Sequence, residues 1–368
     1  MTRPDPLINL DWLAFSVVMP PSSSEEEGIK LNSPDGFRIV EYTGTNIYKR
    51  RAILFANSGE KICTLLLQPY SKVIRQDSVL VEIANKWLYL GWEWILDVLQ
   101  LVHPFAILCV SRVDLCADFP PDDEQLKIIE GLATNYYYVS GKGTGSQFFE
   151  FEHGHKVERI PHCISWGSKK SNIKWKLYNK SKEITEAEET KQYILDAWKD
   201  AGFEGTIWRL EVSITSASGY EYEGHKLSLS DFRMVGFTEM LYCSMYSNRF
   251  VTRQNQGHKD KSNDKRIYLL GDLGTFSRLT QRKPSSIREV LEYVSGLRRA
   301  MEQASKPEVL LNPAMEIIWR TTIKKCVEVG NLANYFWKTY GYKIEKLDTE
   351  LDKLHNSLLT SIIPSPHH

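Results

Sequence analysis

The sequence predicts an α+β protein: antiparallel sheets with helices packed on one face, followed by a helical C-terminal region. Three observations carry this. Segments 107–119, 172–179 and 206–215 alternate apolar with polar or charged residues, the period of a strand. The first 119 residues run strand, hairpin, helix, strand, an order that suits helices on an antiparallel sheet. Beyond about residue 220 the period lengthens to that of helices.

The elements follow in order. Residues 9–18 (Asn-Leu-Asp-Trp-Leu-Ala-Phe-Ser-Val-Val) read as an opening strand. Residues 20–36, rich in Pro, Ser, Glu and Gly, read as a loop. Strands at 51–57 and 61–67 flank Ser58-Gly59, a hairpin signal. Residues 79–101 are apolar at Val81, Ile83, Trp87, Leu90, Trp94, Leu96 and Leu99 and read as one helix. Strands are expected at 107–119, near 148–152, at 162–167, 172–179 and 206–215, with a helix over 186–201. Ser286-Ile-Arg-Glu289 is a capping box that opens a helix through Ile287, Val290, Leu291, Val294 and Leu297. A second C-terminal helix is expected over 314–329. A third carries Ile344, Leu347, Leu351, Leu354 and Leu358 at steps of 3, 4, 3 and 4. The divisions are 1–104, an N-terminal α+β half; 105–225, a catalytic sheet; 226–284, a loop-rich connection; and 285–368, the helical region.

Composition excludes several classes. The 368 residues carry 46 basic and 46 acidic side chains, so no global field draws the protein to nucleic acid or membrane. An anion site must come from local clustering. Lys169, Lys170, Lys174, Lys176, Lys180 and Lys182 form such a cluster, whereas the run His258–Arg266 is diluted by aspartates. The six cysteines are scattered with no CxxC pair, which argues against structural zinc and suits reduced thiols in a cytoplasmic protein. No basic-then-apolar leader opens the chain, so no signal peptide is expected. No apolar run reaches about 18 residues, so no membrane span is expected.

The chemistry concentrates in three strands. In the 172–183 segment, Lys174, Lys176, Tyr178 and Lys180 share one face, and Ile173, Trp175 and Leu177 the other. In 111–119, Arg112, Asp114, Cys116 and Asp118 oppose Val113, Leu115, Ala117 and Phe119. In 206–215, Arg209, Glu211 and Ser213 oppose Trp208, Leu210, Val212 and Ile214. A single such strand is ordinarily the wet face of a sheet, with Arg and Asp paired across strands. Were the three neighbours, however, Asp114, Asp118, Glu211 and Tyr178 would converge within a rim of arginines and lysines. Clustered carboxylates repel unless a cation sits among them, and oxygen-only donors suit Mg²⁺ or Mn²⁺. A divalent ion, a tyrosine and a basic rim are the parts needed for phosphoryl transfer to a side chain.

These segments resemble the replication initiation factor family, the rolling-circle initiators of small plasmids and the related relaxase-like nickases of conjugative elements. The resemblance rests on Arg112-Val-Asp114-Leu-Cys-Ala-Asp118; on Gly167-Ser-Lys-Lys-Ser171 with Lys176-Leu-Tyr178-Asn-Lys180-Ser-Lys-Glu183; and on Trp208-Arg209-Leu-Glu211. It covers about 107–216, with a weaker likeness at Asp11-Trp12. It departs at Ser165, where the family is often aromatic and where Trp166 is expected to take over the packing. The resemblance implies site-specific nicking of single-stranded DNA, with Tyr178 as nucleophile, a 5′-phosphotyrosine intermediate and a free 3′-OH. Lys176 and Lys180 would lower the tyrosine pKa and, with Arg112 and Arg209, neutralise developing charge. Asp114 and Glu211 would hold the metal, with Asp118 a third ligand. DNA is the expected partner, with a host helicase and a homodimer as further partners and no membrane.

Other motifs read plainly. His153-Gly-His155 has a glycine at the centre of a would-be metal motif and reads as a polar loop. Ser140–Ser146 lacks P-loop spacing and reads as a hairpin connection. Tyr136–Tyr138 reads as sheet packing. The alternative function is a non-catalytic origin-binding or repressor protein on the same scaffold. Its weakness is that Asp114, Asp118 and Glu211 would repel phosphates.

Overall fold

A computed structural model describes residues 4–19, 29–71, 75–140, 144–153, 156–168, 171–187, 191–256, 264–274 and 276–281; over 144–160 it describes the backbone alone. The chain divides into two compact units, one of residues 1–70 with 76–282 and one of 71–75 with 283–368. The three C-terminal helices read from the sequence lie outside the described residues, as do Lys169, Lys170 and most of the 20–36 segment.

The strands are β1 (Leu7–Val18), β2 (Phe37–Thr43), β3 (Tyr48–Ala56), β4 (Lys61–Pro69), β5 (Ser78–Ile83), β6 (Ala106–Phe119), β7 (Tyr137–Val139), β8 (Thr144–His153), β9 (Lys156–Trp166), β10 (Ile173–Asn179) and β11 (Trp208–Thr215). All but β7 form one ten-stranded sheet in the order β2-β3-β4-β5-β1-β6-β11-β10-β9-β8. Every neighbouring pair is antiparallel. The strands of 1–104 and of 105–225 thus share a single sheet, joined where β1 meets β6. Short strands at 220–222, 225–226 and 280–281 form a second sheet, and those at 252–254 and 266–267 pair with β7 in a third.

The helices are α1 (Asn85–Leu90), α2 (Trp94–Val102), α3 (Asp123–Ala133), α4 (Lys180–Glu186), α5 (Gln192–Asp200) and α6 (Phe237–Arg249). The expected helix over 79–101 is instead β5 followed by α1 and α2. Ser-Val-Leu-Val-Glu-Ile alternates, with Val79, Val81 and Ile83 buried, and Gly91 at φ +96° separates the two helices. The helix expected over 186–201 is α5, from 192 to 200, and β2, α3 and α4 are additional. Asp122 and Gln125 form a reciprocal capping box that starts α3.

One face of the sheet is apolar. Leu13, Phe15, Val81, Val113, Leu115, Leu210 and Val212 are all buried on it, and α2, α3 and α6 join them in one core. The opposite face carries the charged row, and it too is covered at one end. Ile184 of α4, Ile194 and Trp198 of α5 and Ile207 make a second hydrophobic cluster there, with Tyr89 of α1 and Leu7 packed against it. Helices therefore lie on both faces rather than on one. A fully buried arginine–aspartate pair on this side needs such a cover, because ions are held out of water only where packing excludes it.

Candidate active site

The three charged strands are neighbours, β6-β11-β10, as the convergence argument requires. In register, Arg209 lies opposite both Asp118 and Tyr178, and Glu211 opposite Cys116 and Lys176. The row of side chains has a closed end and an open end.

At the closed end Arg209 and Asp118 are each 0% exposed. Arg209 Nε donates to Asp118 Oδ1 at 2.6 Å and its second terminal nitrogen to Oδ2 at 2.7 Å. Trp198 Nε1 also donates to Oδ2, at 2.7 Å. The remaining guanidinium nitrogen reaches Asp11 Oδ1 at 2.5 Å, and Tyr89 Oη accepts from Arg209 at 2.8 Å. Asn85 donates to Asp11 and in turn accepts from Tyr193. Every arm of the guanidinium is thus engaged. Asp11 reaches this network through a bulge: Leu10 pairs with Leu115 and Trp12 with Asp114, leaving Asp11 as the extra residue. Such a bulge re-aims a side chain that strict alternation would place elsewhere. Burial pushes the Asp11 carboxyl up, but Arg209, Lys180 and Asn85 outweigh it and hold it below its ordinary range.

The open end holds Tyr178, Glu211, Asp114 and Arg112. Tyr178 Oη donates to Glu211 Oε2 at 3.0 Å and lies 3.5 Å from Lys180 Nζ. Arg112 donates from Nε to Asp114 Oδ1 at 3.0 Å and from a terminal nitrogen to Oδ2 at 2.5 Å, and its guanidinium lies 4.9 Å from the Trp12 ring centroid. Burial, reinforced by the Asp11 and Asp114 charges, pushes the Glu211 carboxyl up to about 7. Burial also raises Asp114, although Arg112 opposes it.

The lysines act differently from the expectation that they lower the tyrosine pKa. Burial pushes the Tyr178 hydroxyl well above its ordinary range; Arg209 opposes this, while Glu211, Asp11 and Glu183 reinforce it. Lys176 and Lys180 sit over the ring, with Nζ 4.3 and 5.5 Å from its centroid. Lys180 does not continue the strand. It is the first residue of α4, whose N-cap Asn179 accepts from Lys182 N at 2.9 Å. Lys180 is 3% exposed and ion-paired to Glu183, which Lys191 also binds at 2.8 Å. Burial and Arg209 push the Lys180 ammonium below its ordinary value.

A pocket of about 540 Å³ opens on the other side of Tyr178. Cys163 and Ser165 of β9 lie opposite Tyr178 and Lys176, and α4 closes the pocket with Lys182, Glu183 and Glu186. Ser165 thus opens onto space, while the neighbouring Trp166 is buried edge-on to Phe250 at 5.0 Å. Gly167 follows β9, and Ser171 precedes β10 and donates from its hydroxyl to Ile173 O at 2.7 Å. Gly167 adopts φ +112°, and a Cβ there would meet Ile173 O at 3.1 Å.

All eight residues singled out from the sequence therefore lie on or beside one sheet face, but in two environments. Arg209 and Asp118 are saturated by each other and their neighbours. Tyr178, Glu211, Asp114, Arg112, Lys176 and Lys180 border the open end. Sequence reasoning left out Asp11, Tyr89, Asn85 and Trp198; Asp11-Trp12 was the one sequence signal among them. Among the described residues no group of three or more His, Cys, Asp or Glu is gathered so as to hold a metal ion. The side chains of His153 and His155 lie outside the described residues. No described helix is long and apolar enough to cross a membrane.

No family model and no curated protein matches this chain. Among solved structures it is similar to a rolling circle replication initiator protein from Geobacillus stearothermophilus. That likeness has 14% identity and a TM-score of 0.40, and covers 72% of this chain and 93% of the other. It is a loose likeness.

Proposed function

We propose that this protein nicks single-stranded DNA by transesterification at Tyr178, as a rolling-circle replication initiator or relaxase does. The observation that carries the reading is the Tyr178 hydroxyl itself, which donates to Glu211 and lies within reach of Lys180. A nucleophile bonded to a carboxyl whose pKa lies near neutrality is the geometry of general-base activation.

In the reaction, ionised Glu211 takes the phenolic proton as Tyr178 Oη attacks the scissile phosphorus. The new bond is Oη–P; the bond broken is P–O3′. The products are a 5′-phosphotyrosine and a 3′-hydroxyl, whose proton returns from Glu211. The high resting pKa of Tyr178 keeps it protonated until a phosphate arrives, and Lys180 and Arg112 then offset the charge of the transition state. Arg209 and Asp118 serve as the fixed frame beneath the nucleophile. The pocket beside Tyr178 has the volume of a small-ligand site and seats a nucleotide flanking the scissile bond.

Asp114 and Glu211 fit Mg²⁺ or Mn²⁺ in donor type: both are oxygen donors, and burial and the Asp11 charge disfavour their ionised forms. They do not complete a ligand set, and we leave Asp118 out because Arg209 and Trp198 occupy its carboxylate. A bound ion would supply polarisation of a non-bridging phosphate oxygen.

The burial of Tyr178, 7% exposed, favours a second reading in which the scaffold binds origin DNA without cutting it. One experiment separates the two. Supercoiled plasmid bearing the cognate origin is incubated with the full chain and Mg²⁺ or Mn²⁺, then assayed for relaxation and an SDS-stable adduct. An adduct that vanishes in Tyr178→Phe supports nicking. An adduct that persists in Tyr178→Phe removes Tyr178 as nucleophile, and no nicking by wild type leaves the binding reading.

A further inference from the structure

The site lies in the middle of a sheet whose far half has no part in the chemistry above. Past Asp114 the same face runs across β1, β5 and β4, where Ala14, Thr64 and Leu66 are buried, and opens again at β3 and β2. There the pairing puts Arg38 opposite Phe55, Val40 opposite Ile53 and Tyr42 opposite Arg51. The guanidinium of Arg38 lies 5.5 Å from the Phe55 centroid, and that of Arg51 lies 5.1 Å from Tyr42. Lys49 lies 6.0 Å from the ring of Tyr70. Back at the site, Arg112 over Trp12 repeats the motif.

We propose that this outward face of β2 and β3 is a stacking platform for single-stranded DNA, holding a part of the strand several nucleotides away from Tyr178. The proposal rests on the nicking reading for its ligand class and goes beyond it in assigning the N-terminal strands.

Several observations select this occupant. The other face is buried, with Ala52 and Leu54 of β3 in the core beside Leu65 and Cys63 of β4, so the outward residues of β2 and β3 are not required for packing there. Tyr42 is 41% and Tyr70 59% exposed, and Arg38 and Lys49 are exposed beside them. Rings flanked by cations offer each nucleotide a surface for its base and a charge for its phosphate. A duplex keeps its bases stacked and cannot use the rings; a single strand can. Charge complementarity points the same way. Lys49, Arg38, Arg51 and Arg112 face outward, with the half-buried carboxyl of Glu82 between them on β5. Six strand spacings separate β3 from β10, about 29 Å at about 4.8 Å each, a span for several nucleotides.

The test uses the full chain and a fluorescein-labelled oligothymidylate of about 20 nucleotides, within the range that such surfaces cover. Fluorescence anisotropy is measured against salt for wild type, Arg38→Ala, Tyr42→Ala and Arg50→Ala. Arg50 is a control on the core-facing side of β3, paired with Glu41. Arg38→Ala and Tyr42→Ala alter exposed positions, and circular dichroism confirms their folding. Each is expected to weaken binding about tenfold, in keeping with about 1–3 kcal/mol per stacked base. Arg38→Ala should also reduce the salt slope by about 0.7. Arg50→Ala should bind as wild type does. Unchanged affinity in both platform variants, or equal loss on a duplex of the same length, overturns the proposal. Loss of binding in these variants with no adduct from wild type upholds the platform and removes the nicking reading. An adduct with unaffected binding does the reverse.

Discussion

Two arginine–carboxylate pairs lie a few residues apart on one sheet face and do opposite things. Arg209 with Asp118 is fully buried, and its guanidinium is engaged on every side. Arg112 with Asp114 is shorter of cover: the Arg112 side chain is 42% exposed, and its neighbour Glu211 accepts from the tyrosine hydroxyl. The residue types are the same, and so is the strand periodicity that displays them. What differs is cover: Trp198 and Tyr89 close over the first pair, whereas the second leaves the Arg112 guanidinium part-exposed beside the Trp12 ring. A saturated pair can only hold a shape. A less covered set, with the Glu211 carboxyl pushed up to about 7 and Asp114 raised by burial, can exchange a proton or meet a phosphate.

The sharpest way to break this contrast is at the nucleophile. Tyr178→Phe removes one oxygen and should abolish the SDS-stable adduct while leaving the sheet intact by circular dichroism. Glu211→Gln should slow single-turnover nicking by about 10²–10⁴, the range of general-base catalysis. The pH profile carries the signature. With Glu211 near 7, the wild-type rate should rise as pH increases through about 7 and then level, and the Gln variant should lose that limb.

At the closed end the effect should fall on stability. Arg209→Met leaves Asp118 buried without its partner and should cost about 3–5 kcal/mol in urea unfolding. Glu211 offers a finer stability test. Its folded pKa, about 7, exceeds its ordinary 4.5, so the stability linked to its proton is present below about 4.5 and lost as pH rises through about 7. Glu211→Gln should therefore raise the Tm relative to wild type more at pH 8 than at pH 5. Arg112→Ala should cost less than Arg209→Met, because Arg112 is 42% exposed and Asp114, its carboxyl already pushed up by burial, can take up a proton when the guanidinium is gone. It should nonetheless raise the KM for oligonucleotide nicking. A large loss of stability there would erase the distinction between the two ends.

How much of this was legible follows from where alternation holds. β6, β10 and β11 keep strict period two, so their charged faces, and with them Tyr178, Asp114, Asp118, Arg209 and Glu211, could be read directly. β1 does not: the bulge at Asp11 turns two successive residues, Asp11 and Trp12, toward the same face, and a period-two reading misses the acid that completes the Arg209 network. The 79–101 misreading has a related cause. β5 passes into α1 after Ala84 with no glycine or proline between, and apolar residues fill both elements. Lys180 was placed on the strand face, yet it reaches Tyr178 from the first turn of α4, because Asn179 ends the strand by capping that helix. The covering of the charged face by α5 had no local signal, since Trp198 finds Asp118 across 80 residues.

The placement of Tyr178 also has a mechanical meaning. It lies near the end of an interior strand, with β11 paired to β10 along its length and β9 beside Tyr178 itself. Under the proposed reaction, a DNA strand joined to Tyr178 makes this residue an anchor point. Tension from an unwinding or copying machine along that strand would enter β10 and spread to both neighbours through their shared hydrogen bonds, loading several at once in shear. An anchor on an edge strand such as β2 would peel one bond at a time. The interior position gives the covalent intermediate a footing that resists being pulled apart while the strand is in use.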